Sequence, residues 1–325
     1  MEKKCIAVTG IGGNVGQGII RNIRQAYPNI RIVGLDIAAF TPGNHLCDKT
    51  YKVPYSYDPM YIETIQNIVD KERIDLIVPS TDYEIYYLSA NSESINATIA
   101  ASDAKTSKYY LDKYKTFQYH KLHNIAFAKS WSPEEYDFSE EKIIAKPREG
   151  RGSRGLLLNP DRIDNLPKGY MIQKLLEGKE ITTAVYVTKK NALHGIFTME
   201  RELTNGTTTK SKVVFEYDNV LKDIAFKMIS LKGLRGAFNI QSIVTKEGEI
   251  VPFEINCRIS GTNSIRHNLG FQDVKYTVQE YLYNIEPDIP KPIAGMASRV
   301  LMDVIYPDAT EELTLNNNSS NHFLY

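Results

Sequence analysis

With 325 residues the chain is too long for one ordinary domain, so two or three packed units sharing a cleft are expected. Its 39 lysines and arginines balance 39 aspartates and glutamates, which gives no basic field for nucleic acid or an anionic membrane surface and favours small-molecule substrates. Cys5, Cys47 and Cys257 are too scattered for a zinc site or disulfide framework, and neither a signal-peptide pattern nor the ~20 apolar residues of a membrane span is present, so a cytoplasmic protein is expected.

In chain order, Cys5 to Val8 reads as a buried strand ending in a glycine turn, and Asn14 to Gln25 as a helix with Ile19, Ile20 and Ile23 on one face. Arg31 to Leu35 reads as a second strand, Ile62 to Val69 as a helix, Asp75 to Pro79 as a strand and Ile85 to Leu88 as part of another helix. Residues 1–103 thus read as a parallel α/β layer. A polar helix through His123 follows, then two strands, Lys142 to Pro147 and Gly155 to Leu158, joined by the stretch GRGSRG. Residues 104–172 therefore read as a small lobe. Residues 173–325 read as an α+β unit, because the strand-like runs ITTAVYV, LHGIFTM, FNIQSIV and IVPFEI are broken by a periodic helix from Val220 to Leu231. The tail NNNSSN has a biased composition, and the last ten or so residues are expected to be loosely held.

The loop VTGIGGNVGQG admits three readings. Gly10, Gly12 and Gly16 can bring a dinucleotide pyrophosphate to a helix N-terminus, with Asp36 on the ribose. Tyr109 and Lys113 then supply the Tyr-x-x-x-Lys pair of a dehydrogenase or epimerase. The same glycines can instead tighten a strand-to-helix turn, or receive a substrate carboxylate. Against the dehydrogenase, Tyr109 comes early in the chain and no parallel strands follow Lys142.

Stronger chemistry sits in GAFNIQSIVTKEGEIVPFEINCR, which reads as a hairpin turning at Lys246 to Gly248. Glu254 and Asn256 are two apart and share a strand face, with Gln241 able to lie beside them on the partner strand. One carboxylate and two amides make an oxygen donor set suited to magnesium, whose remaining positions phosphate oxygens fill. Arg258, two residues further on, is expected to face the same cavity and hold an anion. Spacing alone leaves a solvated polar hairpin face as the alternative.

These residues resemble the ATP-grasp superfamily, and within it the synthetase component of the carbamoyl-phosphate synthase large subunit. The resemblance covers nearly the whole chain. It implies a Rossmann-like pre-ATP-grasp domain followed by a two-lobed ATP-grasp fold, with ATP and Mg2+ (or Mn2+) bound between the lobes. Gln241, Glu254 and Asn256 match the metal set, and Arg258 the substrate arginine. Lys113, opening DKYKTFQYHK, and Lys146 in IIAKP match the two basic nucleotide contacts. Arg148 to Gly155 resembles the flap over the triphosphate, with Gly152 and Ser153 against the phosphates. MIQKLLEGKEIT resembles the strand that clasps adenine, implying Lys174 and Leu176 at the base, Glu180 on the ribose, and an ATP contact for Gln173, which stands where many relatives have glutamate. Glu200, Arg201 and the loop Asn205 to Lys212 fall where relatives build an acceptor wall.

The sequence departs from that pattern after the metal run, where RISGTNSIR carries Gly261 in place of a further arginine. Bicarbonate is therefore not favoured, and with a single synthetase unit neither is carbamoyl phosphate. Arg266 is left as the candidate for a larger carboxylate, with Arg258 and Lys146 as the other catalytic residues; a surface salt bridge is its alternative. The implied reaction is carboxylate–amine ligation through an acyl phosphate, on small-molecule carboxylate and amine (or ammonia) substrates, with a homodimer as an admissible assembly. A nucleotide-binding module without turnover is the other class left open. The six histidines show no partner pattern for nucleophilic catalysis.

Overall fold

Branched apolar runs with no polar face make the opening strands: β1 (Cys5–Thr9) and β4 (Leu76–Val78) bury every residue, as strands covered on both faces must. The computed structural model describes residues 3–150, 154–204, 206–307, 309 and 321–325. With β2 (Arg31–Asp36), β3 (Lys49–Lys52) and β5 (Thr98–Ile99) these strands form a parallel sheet of order β3-β2-β1-β4-β5. Helices α1 (Asn14–Ala26), α2 (Tyr61–Glu72) and α3 (Asp82–Ala90) alternate with the strands. Between β1 and β4 the connections diverge, so the loops after these two strands flank the crevice where such sheets bind ligands. The start of α3 is fixed by a capping box in which Thr81 and Glu84 exchange side-chain and backbone hydrogen bonds.

The expected single helix through His123 is two: α4 (Ala104–Leu111) and α5 (Lys113–Leu122). Asp112 interrupts them because its carboxylate caps α5, accepting from the amides of Tyr114 and Lys115. The same carboxylate receives Arg148 Nε (3.1 Å) and Nη2 (2.7 Å), tying α5 to the end of β7 (Ile143–Pro147). With β6 (Ser130–Trp131), β8 (Leu157–Leu158) and β9 (Tyr170–Lys174), β7 makes a four-stranded antiparallel sheet over a small core of Trp131, Tyr136, Ile143 and Ile172.

A six-stranded antiparallel sheet follows, of order β14-β13-β10-β11-β12-β15, from β10 (Gly178–Val187), β11 (Leu193–Thr204), β12 (Thr207–Val213), β13 (Gly236–Thr245), β14 (Ile250–Asn256) and β15 (Met296–Ser298). Alternation divides its faces. Ile181, Val185, Phe238 and Ile240 pack on α6 (Asp218–Ser230), whereas Ala184, Tyr186 and Phe197 pack with α8 (Asp273–Tyr281) and with Ile19 and Ile23 of α1 in one continuous core. The second face thus joins the N-terminal unit to the last. A short helix, α7 (Asn263–Asn268), seals that seam: Asn22 donates to Asn263 Oδ1 (3.1 Å), and a Cβ on Gly18 would run into the same side chain. The expectation of a loose end is corrected for residues 321–325, because β17 (Phe323–Leu324) pairs with β16 (Val304–Ile305). Residues 316–320 lie outside the described residues.

Candidate active site

On the face that packs on α8, the sheet turns polar towards one end. Ala184 and Tyr186 are core, whereas Thr182 and Glu180, further back along β10 on the same side, are not apolar. The register places Gln241 opposite both Thr182 and Glu254, and Asn239 opposite Asn256. The side chains join in one run across four strands. Arg201 Nε donates to Glu180 Oε1 (2.9 Å), and its Nη2 donates to Gln241 Oε1 (2.7 Å). Gln241 Nε2 donates to Asn256 Oδ1 and Asn256 Nδ2 to Glu254 Oε1, each at 3.0 Å.

The small lobe faces this run with its two lysines. Lys146 Nζ donates to Gln173 Oε1 (2.7 Å) and to the carbonyl of Phe253 (3.5 Å), and lies 5.5 Å from the Phe253 ring centroid. Lys113 Nζ donates to the Gly150 carbonyl (3.1 Å), at the edge of the glycine-rich stretch. Burial, with the positive charge of Lys113, lowers the Lys146 pKa to about 8 despite the opposing pull of Glu254. Burial pushes the Glu254 carboxyl upwards, but Lys113, Lys146, the Asn256 hydrogen bond and Arg258 together hold it below the usual carboxylate range. Glu254 is therefore an anion held between cations. The oxygens of Glu254, Gln241 and Asn256 are hard donors of the kind that suits Mg2+ rather than a thiophilic ion, with the Arg201 guanidinium beside them. Among the described residues there is no group of three or more His, Cys, Asp or Glu that could hold a metal.

Other candidates fall elsewhere. Arg258 lies past the end of β14, which stops at Asn256; its charge reaches Glu254, and its Nε donates to Asp82 Oδ2 of α3 (3.0 Å), across to the N-terminal unit. Arg266 is corrected outright. Its side chain is 1 % exposed, and the guanidinium is spent on Asp273, Ser260 Oγ and Thr262 Oγ1, so it is neither open to a substrate nor on the surface. Lys174 is exposed and pairs with Glu140 (3.1 Å). Lys174 and Leu176 line an open groove of about 660 Å3 that also includes Glu177, Lys246 and Val251 but not Lys146 or Glu254. The Lys174 and Leu175 amides are bonded to Lys129 and Lys142, whereas the Leu176 amide has no backbone acceptor among the described residues. Gly152 and Ser153 lie outside the described residues.

The N-terminal glycine loop is a turn. The amides of Ile11, Gly12 and Gly13 are spent on Leu35 O, Asp36 Oδ2 and Gly10 O, so the loop itself is held as a turn, while no side chain caps the N-terminus of α1 behind it. Gly10 has φ +57°, and a Cβ there would meet Ser80 Oγ, so close backbone approach explains the glycine. Asp36 serves its own loop, and Tyr109 and Lys113 lie on different helices, Tyr109 stacked on Tyr119. The dehydrogenase constellation is not assembled.

Two residues of the cluster were not among the sequence candidates for nucleotide or metal. Arg201 sits two strands from Gln241, a neighbour that only the β13–β10–β11 order creates. Asp82 lies in the visible T-x-x-E cap signal, but its partner is 176 positions away.

Comparison with known proteins agrees with this architecture. Residues 6–100 match the family model of the PylC-like N-terminal domain, and residues 110–262 match an ATP-grasp domain. The chain thus carries an ATP-grasp domain behind a PylC-like N-terminal domain. No curated protein matches its sequence. Among solved structures, N5-carboxyaminoimidazole synthetase from Staphylococcus aureus complexed with ADP superposes with a TM-score of 0.76 at 16% identity, over 92% of this chain and 82% of that one. The corresponding ribonucleotide synthetase from Thermotoga maritima gives 0.68 at 17%, over 93% and 84%. An L-amino acid ligase from Bacillus licheniformis gives 0.71 at 12%, over 88% and 76%. No helix among the described residues is long and apolar enough to cross a membrane.

Proposed function

We propose that the protein is an ATP-dependent carboxylate–amine ligase that binds Mg-ATP between the four-stranded and six-stranded sheets. The observation that carries this reading is the run Glu180–Arg201–Gln241–Asn256–Glu254 set against the buried Lys146. Glu254, Gln241 and Asn256 would hold Mg2+, or Mn2+ in its place, and the ion would neutralise phosphate oxygens. Lys113 and Lys146 bring positive charge to the transferring phosphoryl group, and Gly152 and Ser153 would add donors above it. At the hinge, the free Leu176 amide offers an adenine contact, while Gln173 orients Lys146 and the second oxygen of Glu180 is left for a ribose hydroxyl. Arg258, poised at the contact of two units, would take the acceptor carboxylate, and the amine would then displace phosphate from the acyl phosphate. The solved ligases of this fold support the reading.

The test is release of ADP and phosphate across a panel of carboxylates paired with amines. Turnover should need both substrates and Mg2+, and Glu254→Ala should lower it by about 10²-fold or more, the scale of losing one charge-stabilising group. Full ATP-dependent turnover in Glu254→Ala would remove the metal assignment. NADPH binding without Mg-ATP binding would remove the ligase reading itself.

A further inference from the structure

Resting on the Mg-ATP reading above, we propose that Arg201 is a built-in cation of the metal end, so that the site takes one divalent ion where two would otherwise fit. The oxygens of the donor set are not equally free. Gln241 Oε1 already accepts from Arg201 Nη2 (2.7 Å), Asn256 Oδ1 accepts from Gln241 Nε2 (3.0 Å), and Glu254 Oε1 accepts from Asn256 Nδ2 (3.0 Å). No donor among the described residues reaches Glu254 Oε2. A first ion has a carboxylate oxygen open to it; a second ion on the Gln241 side has a guanidinium in its place.

Charge argues the same way. Two-ion sites place cations about 3.5–4 Å apart and need bridging anions to offset their repulsion. Here the proposed metal end has one carboxylate and two neutral amides, with an arginine guanidinium beside them. Glu180 fixes that arginine from its far side, and the Arg201 side chain is only 12 % exposed, so the guanidinium is held rather than swinging in solvent. A fork of N–H donors aimed past an amide oxygen suits phosphoryl oxygens as well as an ion does. Glu180 is then a positioning residue for Arg201, and Gln241 is the acceptor that aims it; a glutamate there would favour a second ion instead.

The experiment is Mn2+ titration of the full chain with adenylyl imidodiphosphate, read by electron paramagnetic resonance. The wild type should bind one Mn2+ per nucleotide, with no dipole-coupled pair. Arg201→Lys should keep that stoichiometry, and the double variant Arg201→Met, Gln241→Glu should bind two coupled ions. Arg201→Met alone should lose about 10²-fold in kcat with a smaller change in KM for ATP. Two coupled ions in the wild type would overturn the proposal while leaving the Mg-ATP reading intact. So would a single ion in a double variant that still melts cooperatively and binds nucleotide. Absence of any nucleotide-dependent Mn2+ binding in the wild type would overturn both.

Discussion

At the level of single residues, the site is governed by how charge is buried. Lys146 has its pKa lowered to about 8 by desolvation, so it titrates within reach of ordinary buffers. If its charge holds phosphate, kcat/KM for ATP should fall as pH rises through about 8, and Lys146→Arg should push that limb beyond the measurable range. The stability sign is opposite. A lysine whose folded pKa lies below its unfolded value of 10.5 binds fewer protons when folded, so its contribution to stability improves between about pH 8 and 10.5. A rise in stability with a fall in kcat/KM over the same range is the expected signature, read by denaturant titration beside steady-state rates. Arg266 has a different part. With Asp273 it is a wholly buried pair, and Arg266→Leu, which strands the aspartate, should cost about 3–5 kcal/mol in urea unfolding while the KM values of the folded fraction stay near wild type. A selective rise in KM for a carboxylate substrate would restore the substrate role that its spacing suggested. From the sequence, RISGTNSIR gave no way to tell the two arginines apart, because what separates them is Asp82 near one and Asp273 near the other.

Elements were readable wherever one face had to be apolar. β1, β2 and β4 of the parallel sheet and the helix α6 stand close to the spans that periodicity predicts, and the β13–β14 hairpin turns where the KEG run places it. Three kinds of feature were hidden. β3 and β5 are short, with little apolar content of their own. The break between α4 and α5 depends on one carboxylate serving as a cap and as the partner of Arg148. Arg201 comes beside Gln241 because β10 lies between β11 and β13 in the sheet, an order that no local pattern encodes. The seam between α1 and α7 offers a test at this scale. Gly18 touches Asn263, which is itself bonded to Val15 and Ser260, so the neighbour has little room to give. Gly18→Val should therefore destabilise by about 1–3 kcal/mol by overpacking, more than the few tenths that better helix propensity returns. Equal or higher stability in thermal unfolding would mean that the seam is softer than its hydrogen bonds suggest.

For the whole molecule, the decisive fact is that one core crosses from the parallel sheet into the last lobe. Ile6, Val8, Ile19 and Ile23 share it with Tyr186, Phe197, Phe271 and Tyr276, whereas the four-stranded sheet rests on a core of four buried side chains. Hydrogen exchange should consequently show β6, β7 and β9 opening first, and α1 exchanging together with α8 at the global rate. If α1 instead exchanged well before α8, the two units would be separate bodies and the Arg258–Asp82 contact a passing one. If the proposed Mg-ATP site closes, the small lobe is then the part to move, against a two-unit body that carries Glu254, Gln241 and Asn256.

The shared core also bears on how the chain is made. The apolar face of α1 appears within the first thirty residues, but Phe271, Val274, Tyr276 and Val278, which cover it, come some 250 positions later. At about 5–20 residues per second, a ribosome leaves that face open for roughly ten seconds to a minute. The N-terminal unit is thus a nascent segment waiting for its own far end, dependent during that interval on whatever holdase or neighbouring surface shields it.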